Sequence, residues 1–177
     1  MTFLTPPAQR ARLRSFEPLL NGDGFPTRLV PAGGESPYDV LLVRLGDAGT
    51  EGPVLELAFL PGMEAELERA SLLQCFVPLP PAVAPGAEGE LARLVLALGT
   101  RLPLIGFGYL ETERIPCFRH LLMLPEAPEA GNLLLRQTVW LVSYLLDLFG
   151  GAVAAVAAGR KRCEEALAEH PMRDALR

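Results

Sequence analysis

The sequence is poor in the residue types from which chemistry is usually built. Of 177 residues, two are histidine, three cysteine and one tryptophan, and aromatics make up 7%. Cys75, Cys117 and Cys163 lie far apart with no CxxC pair, which excludes a disulfide framework or a zinc knuckle and fits a reducing cytoplasm. Positive charge is also short, with 16 Lys and Arg against 21 Asp and Glu and a net charge of -5. A basic face able to grip a phosphate backbone is therefore not expected, which argues against nucleic acid as a partner. The start, Met1-Thr2-Phe3-Leu4-Thr5-Pro6-Pro7, has no basic segment leading into a long apolar one, so no signal peptide is expected.

What the chain has is apolar material: 50% of residues are hydrophobic. That composition excludes general disorder, and the length suits one domain, expected over 1–160, with a charged C-terminal tail over 161–177. One segment raises the question of a membrane, because from Thr138 to Gly159 the only charge is Asp147 and Arg160-Lys161-Arg162 follows. A central Asp costs roughly 2.5–3.5 kcal/mol on insertion scales, and alanine-rich sequence adds almost no insertion energy. Arg136, Trp140, Ser143, Asp147, Gly151, Ala154 and Ala158 recur at spacings of three and four. They collect on one narrow helical stripe, with Asp147 facing water or a partner's polar group, as expected of a soluble helix packed around most of its circumference.

Thr5 before Pro6-Pro7 suits a helix start, Leu13, Phe16, Leu19 and Leu20 fall at helical spacing, and Asn21-Gly22 is the expected stop. Phe25 to Val30 is short and proline-marked, good for no more than an edge strand, and reads as loop. Tyr38 to Leu45, Val54 to Leu60 and Ser71 to Leu79 read as three antiparallel strands, with Met63 to Arg69 as a turn of helix or a strand approach. Leu91, Leu94, Val95 and Leu98 give the stripe of a second helix ending at Gly99. Leu102 to Leu110 and Ile115 to Leu124 form a second hairpin around Glu111 to Arg114. Asn132 is the expected cap of a third helix from Leu133 to about Phe149 that continues or bends toward Ala158. The fold class is therefore α+β: an antiparallel sheet of about five strands, in the order α-β-β-β-α-β-β-α, packed against helices.

Several residues invite a chemical reading and give it up on geometry. Cys117 and His120 are separated by an odd number along one strand, so they point to opposite faces and cannot share a proton. Gly106-Phe107-Gly108 lacks the third glycine of a dinucleotide loop and lies inside an apolar strand; it reads as a shallow trough for a helix, with Phe107 and Tyr109 on the other face. Glu111 and Glu113 sit on an exposed hairpin tip, and His170 lies in the tail among carboxylates too mobile for a metal site. Arg10, Arg12 and Arg14 splay around a solvated helix. No catalytic residue, cofactor or metal is expected.

Leu72-Leu73-Gln74-Cys75-Phe76-Val77-Pro78-Leu79-Pro80, the run from Leu94 through Leu98-Gly99-Thr100-Arg101-Leu102-Pro103-Leu104-Ile105-Gly106-Phe107-Gly108, Cys117-Phe118-Arg119-His120, and the long apolar helix ending in Gly159 carry a resemblance. Over roughly residues 10 to 159 the chain resembles the YbjN-like proteins and their relatives, the class I type III secretion chaperones. Gly99 stands where that pattern has Asn, and the Pro80 to Pro85 linker is longer than usual. The resemblance implies an α+β domain, commonly a homodimer, that binds other polypeptides without an enzymatic site. Two functions follow as expectations. One is a non-enzymatic, chaperone-like homodimer holding a client segment on apolar sheet and strand-edge surface. The other is a structural or adaptor subunit whose apolar patches are covered by a fixed neighbour. The second helix and hairpin are the expected interface, through Leu91, Leu94, Leu98, Phe107, Tyr109 and Phe118, because the hairpin is apolar on both faces.

Overall fold

A computed structural model describes residues 5–33, 36–46, 52–61, 67, 70–102, 104 and 106–169. The elements are α1 (Pro6–Gly22), β1 (Thr27–Val30), β2 (Val40–Arg44), β3 (Val54–Phe59), β4 (Ala70–Pro78), α2 (Glu88–Gly99), β5 (Phe107–Leu110), β6 (Ile115–Pro125), α3 (Pro128–Ala157) and α4 (Cys163–Ala168). The fold is α+β, with one antiparallel sheet of six strands in the order β1-β2-β3-β4-β6-β5. Contacts divide the chain into two compact units, Met1–Phe76 with Leu121–Ser143 and Val77–His120 with Tyr144–Arg177.

In the first unit α1 packs on β1, β2 and β3. Its inward residues Leu13, Phe16 and Leu20 are fully buried, as are Leu41, Val43, Leu55, Leu57, Leu73 and Cys75. Strand residues alternate between faces, so the odd positions of β2, β3 and β4 make the core. On the part of β6 that belongs to this unit, from Leu121, the buried apolar residues are Leu122 and Leu124. The helix ends at Gly22, as Asn21-Gly22 suggests, but the residue that turns the chain away lies two positions on. Gly24, at φ 89, is the left-handed residue, with Gly24 N–H donating to Asn21 O at 3.1 Å and Phe25 N–H reaching back to Leu20 O at 2.9 Å. These paired bonds satisfy two carbonyls at the helix end. Thr27 to Val30, read above as loop, is an edge strand paired with β2 from Thr27↔Val43 to Val30↔Val40. Its four residues are too few to show an alternating pattern.

The start of α3 also lies earlier than expected. Pro128 opens it, where a fixed φ and a missing N–H cost nothing. Asn132 is therefore inside the helix and not its cap, and its buried Oδ1 has no hydrogen-bond partner. Gly131 is closely packed: a Cβ there would come within 2.6 Å of the Arg12 guanidinium and 3.0 Å of Leu124, so both side-chain ends would have to shift. Arg136 makes two hydrogen bonds with the Asp23 carboxylate at 2.6 and 2.5 Å. Trp140 is 52% exposed and meets Phe25 edge-on, with centroids 4.8 Å apart.

In the second unit α2 packs on β5 and α4. Leu91, Leu94, Leu98, Phe118, Phe149, Val153 and Val156 form its core. The strand expected from Leu102 begins only at Phe107, since the described residues of 102–106 are not extended in the sheet. Phe107 and Phe118 pair across β5 and β6 with centroids 5.3 Å apart, and Phe107 meets Phe149 of α3 at 6.2 Å. The space over Gly106 is filled by the Phe118 ring, which a Cβ would meet at 2.3 Å, and not by a helix. The α3 contact of β5 is made through Phe107, against Phe149. The linker before α2 is held by backbone bonds Leu79 N–H to Pro116 O, Val83 N–H to Arg114 O and Ala84 N–H to Ala157 O. Helix α3 ends on Gly159 at φ 68, with Gly159 N–H to Val156 O and Arg160 N–H to Ala155 O both at 2.9 Å.

Within the expected charged tail, Cys163 to Ala168 form α4, which buries Cys163 and Ala166. Residues 170–177, including His170, and most of Met63 to Arg69 lie outside the described residues. By length and composition α3 could cross a membrane, at mean hydropathy 1.8 over its most apolar window, 44% of which is buried inside the protein. Asp147 is exposed, but Ser143 of the anticipated polar stripe is buried.

Candidate functional site

The residues expected to meet a partner are mostly closed off. Leu91, Leu94, Leu98, Phe107 and Phe118 are buried within the second unit, and Tyr109 is half-buried. The α2 stripe is real, yet it faces β5 and α4 of its own unit, so these side chains offer no surface to a neighbour. Amphipathicity shows that one face is covered and not by what.

Accessible apolar surface of the first unit lies elsewhere, in part on the first half of α3 and in part on the sheet face turned away from the core. Alternation places Leu42 and Arg44 of β2, Glu56 of β3, and Leu72, Gln74 and Phe76 of β4 on that face. Leu121 and Met123 join them on β6, 43% and 55% exposed, because Leu122 and Leu124 take the core side. β4 and β6 are adjacent, so Leu72, Phe76, Leu121 and Met123 make an apolar strip. Along one row of the sheet the register sets Arg28 beside Leu42, Leu42 beside Glu56 and Glu56 beside Phe76. Burial pushes the Glu56 carboxyl up from its ordinary range, since low-dielectric surroundings disfavour the charged form. A depression of about 330 Å³ lined by Arg28, Leu42, Arg44 and Val54 opens on the same side.

Other polar groups are committed to structure. Arg10 donates to both Asp39 oxygens at 2.9 and 2.7 Å, and Asp39 also accepts from Ala32 N–H at 2.7 Å. The Arg10 hydrogen bond holds the Asp39 carboxyl below its usual value. Arg12 stacks over Phe16 at 5.1 Å. Two of the three arginines read as solvated are therefore engaged. In the second unit a cavity of about 290 Å³ is lined by Glu90, Arg160, Lys161, Arg162 and Glu165. Several of its polar groups are engaged: Lys161 pairs with Glu169, the Arg162 backbone N–H donates to Glu165, and Glu90 accepts from the Cys163 backbone N–H. Arg114, at φ 55 on the hairpin tip, pairs with Glu88 at 2.6 Å.

The three thiols are buried. Burial pushes Cys75 up to about 12 and also raises Cys117 and Cys163, so none is a ready thiolate at neutral pH. Among the described residues no three His, Cys, Asp or Glu side chains converge as a metal cluster. No protein-family model, curated protein or solved structure matches the chain.

Proposed function

We propose that this chain is a non-enzymatic, chaperone-like polypeptide-binding module of the cytoplasm, acting as a homodimer, that holds an apolar client segment against the strip Leu72, Phe76, Leu121 and Met123. The observation that carries this reading is the exposure of Leu121 and Met123 beside half-buried Leu72 and Phe76 on a sheet face turned from the core. Apolar side chains grouped on an open sheet face serve a soluble chain only when something covers them. An extended segment fits, since its alternate side chains can enter a strip two strands wide. The resemblance to YbjN-like proteins and secretion chaperones points the same way.

The test is retention of a permanently unfolded, reduced and carboxymethylated protein. The wild-type chain should retard it, whereas Phe76→Glu and Met123→Glu, with unchanged circular dichroism, should each weaken retention at least about tenfold. Equal retention by all three proteins, or none by wild type, overturns the reading.

A second reading, a subunit with a fixed neighbour, is favoured by Leu133, Leu134 and Trp140, all exposed on the first half of α3. It requires the isolated chain to aggregate, and Leu133→Glu to restore solubility.

A further inference from the structure

We infer that the sheet face of β1, β2 and β3 docks against the same face of a second copy, around a two-fold axis running along β2, so that Arg28 of each copy meets Glu56 of the other. The inference rests on the dimeric reading above and names its contact.

Arg28, Leu42 and Glu56 are directly opposite one another on three neighbouring strands, in the middle of each strand. Arg28 and Glu56 are thus two strands apart, about 10 Å, too far to pair within one sheet. Neither has a side-chain partner among the described residues, although Arg28 is exposed and Glu56 is partly withdrawn from water. A carboxylate sunk among Leu42, Phe76 and Ala58 without a cation is an unfavourable arrangement in an isolated chain. It becomes favourable when a cation is brought to it from outside.

The spacing selects the copy that brings it. Rotation by 180° about an axis parallel to the strands and above β2 exchanges the positions of β1 and β3. Leu42 then lies over Leu42, and each Glu56 lies beneath the other copy's Arg28, across the roughly 10 Å that separates packed sheets. Both side chains are long enough to close that gap. An axis across the strands, or one above β3, stacks Glu56 on Glu56 and is opposed by like charge. Arg44, two residues beyond Leu42 on the same face and exposed, falls near the axis at the rim. There water screens it from its own counterpart, and its long stem lets it lean diagonally toward the other copy's Glu56. The strip on β4 and β6 extends beyond the copy's edge strand, so the same dimer leaves Phe76, Leu121 and Met123 open to a client.

Three short strands cover only on the order of 250 Å² in plan, well under the roughly 800 Å² per partner of a standard stable interface. The dimer is therefore a concentration-dependent one with an electrostatic core, weakened by salt.

Sedimentation over about 1 to 500 µM tests it. Wild type should pass from monomer to dimer, and about 0.5 M salt, against ~0.05 M, should raise the dissociation constant at least about tenfold. Arg28→Glu sets carboxylate against carboxylate across the axis, and Glu56→Arg sets guanidinium against guanidinium, so each variant alone should remain monomeric. Mixed in equal amounts they restore both opposite-charge pairs and should form a heterodimer. A wild-type monomer throughout the range, a dimer indifferent to salt, or folded single variants that stay apart when mixed overturns the inference. Failure here with the unfolded protein still retained removes the docking mode and leaves the client reading standing. Loss of retention with the charge-swap pairing intact does the reverse.

Discussion

Asp39 and Glu56 are carboxylates of one unit that respond to acid in opposite senses. Asp39 accepts from Arg10 and from Ala32 N–H, and the Arg10 hydrogen bond lowers it from an ordinary 3.8. A carboxyl lowered on folding contributes stability in full above its unfolded value, and that contribution is lost as pH falls through the folded value. Thermal melting should therefore steepen its decline below about pH 4. Asp39→Asn should melt lower at neutral pH and lose that part of the acid dependence; parallel profiles for the two proteins would show that the pair contributes nothing. For Glu56 the only cause of the shift is burial, which raises it from 4.5. Here the stabilising contribution is present below the unfolded value and disappears as pH rises through the folded one. Glu56→Gln should accordingly melt higher than wild type at pH 7 and indistinguishably from it near pH 4, when monomers are compared at low concentration. A lower melting temperature at pH 7 would mean that the carboxylate has a partner.

At the scale of elements, the chain's punctuation is harder to read than its periodicity. Helix spacing in α1 and α2 and the β-rich runs of β2, β3, β4 and β6 are stated directly by residues such as Leu13, Phe16 and Leu20 or Leu55 and Leu57, because core contact imposes the period. Ends obey local backbone geometry instead. Asn21-Gly22 marks where α1 ends, but the residue that takes the left-handed conformation there is Gly24, at φ 89. Likewise α3 runs through Gly150 and Gly151 to stop at Gly159. β1 escapes a periodicity reading because four residues carry no pattern. α4 escapes it because only Cys163 and Ala166 of its six residues are buried. The distinction between glycines is measurable. Gly24→Ala and Gly159→Ala put a Cβ on a left-handed residue and should each cost about 1–2 kcal/mol, or roughly 2–8 °C in Tm. Gly22→Ala, with nothing within 4 Å of the new Cβ, should be neutral or stabilising by up to about 1 kcal/mol. The reverse order of effects would make Gly22, and not Gly24, the residue whose conformation ends the helix.

For the whole molecule, the excess of apolar residues, 50% of the sequence, signals more buried surface than a small domain's exterior allows, but composition cannot say which stripe turns inward. The strongest stripe, Leu91, Leu94 and Leu98, looks like an interface and is core. The exposed strip is spread over Leu72, Phe76, Leu121 and Met123, on strands that only the sheet order brings side by side. Sequence spacing holds no record of that adjacency, and Glu56 and Gln74 interrupt the pattern on the same face. The two assignments make opposite demands on a single charge. Leu94→Glu places a carboxylate at a site 1% exposed, inside the packed core of α2, β5 and α4. Loss of the leucine's packing alone costs about 2–5 kcal/mol, and the buried charge adds to that. The chain should lose its cooperative melting transition and fail to accumulate as soluble protein. Met123→Glu, at a side chain more than half exposed, should keep both the circular dichroism spectrum and the melting temperature of wild type to within a few degrees. If Leu94→Glu instead gives a folded monomer, α2 faces a neighbour after all. If Met123→Glu unfolds the chain, the strip on β6 belongs to the core and cannot hold a client.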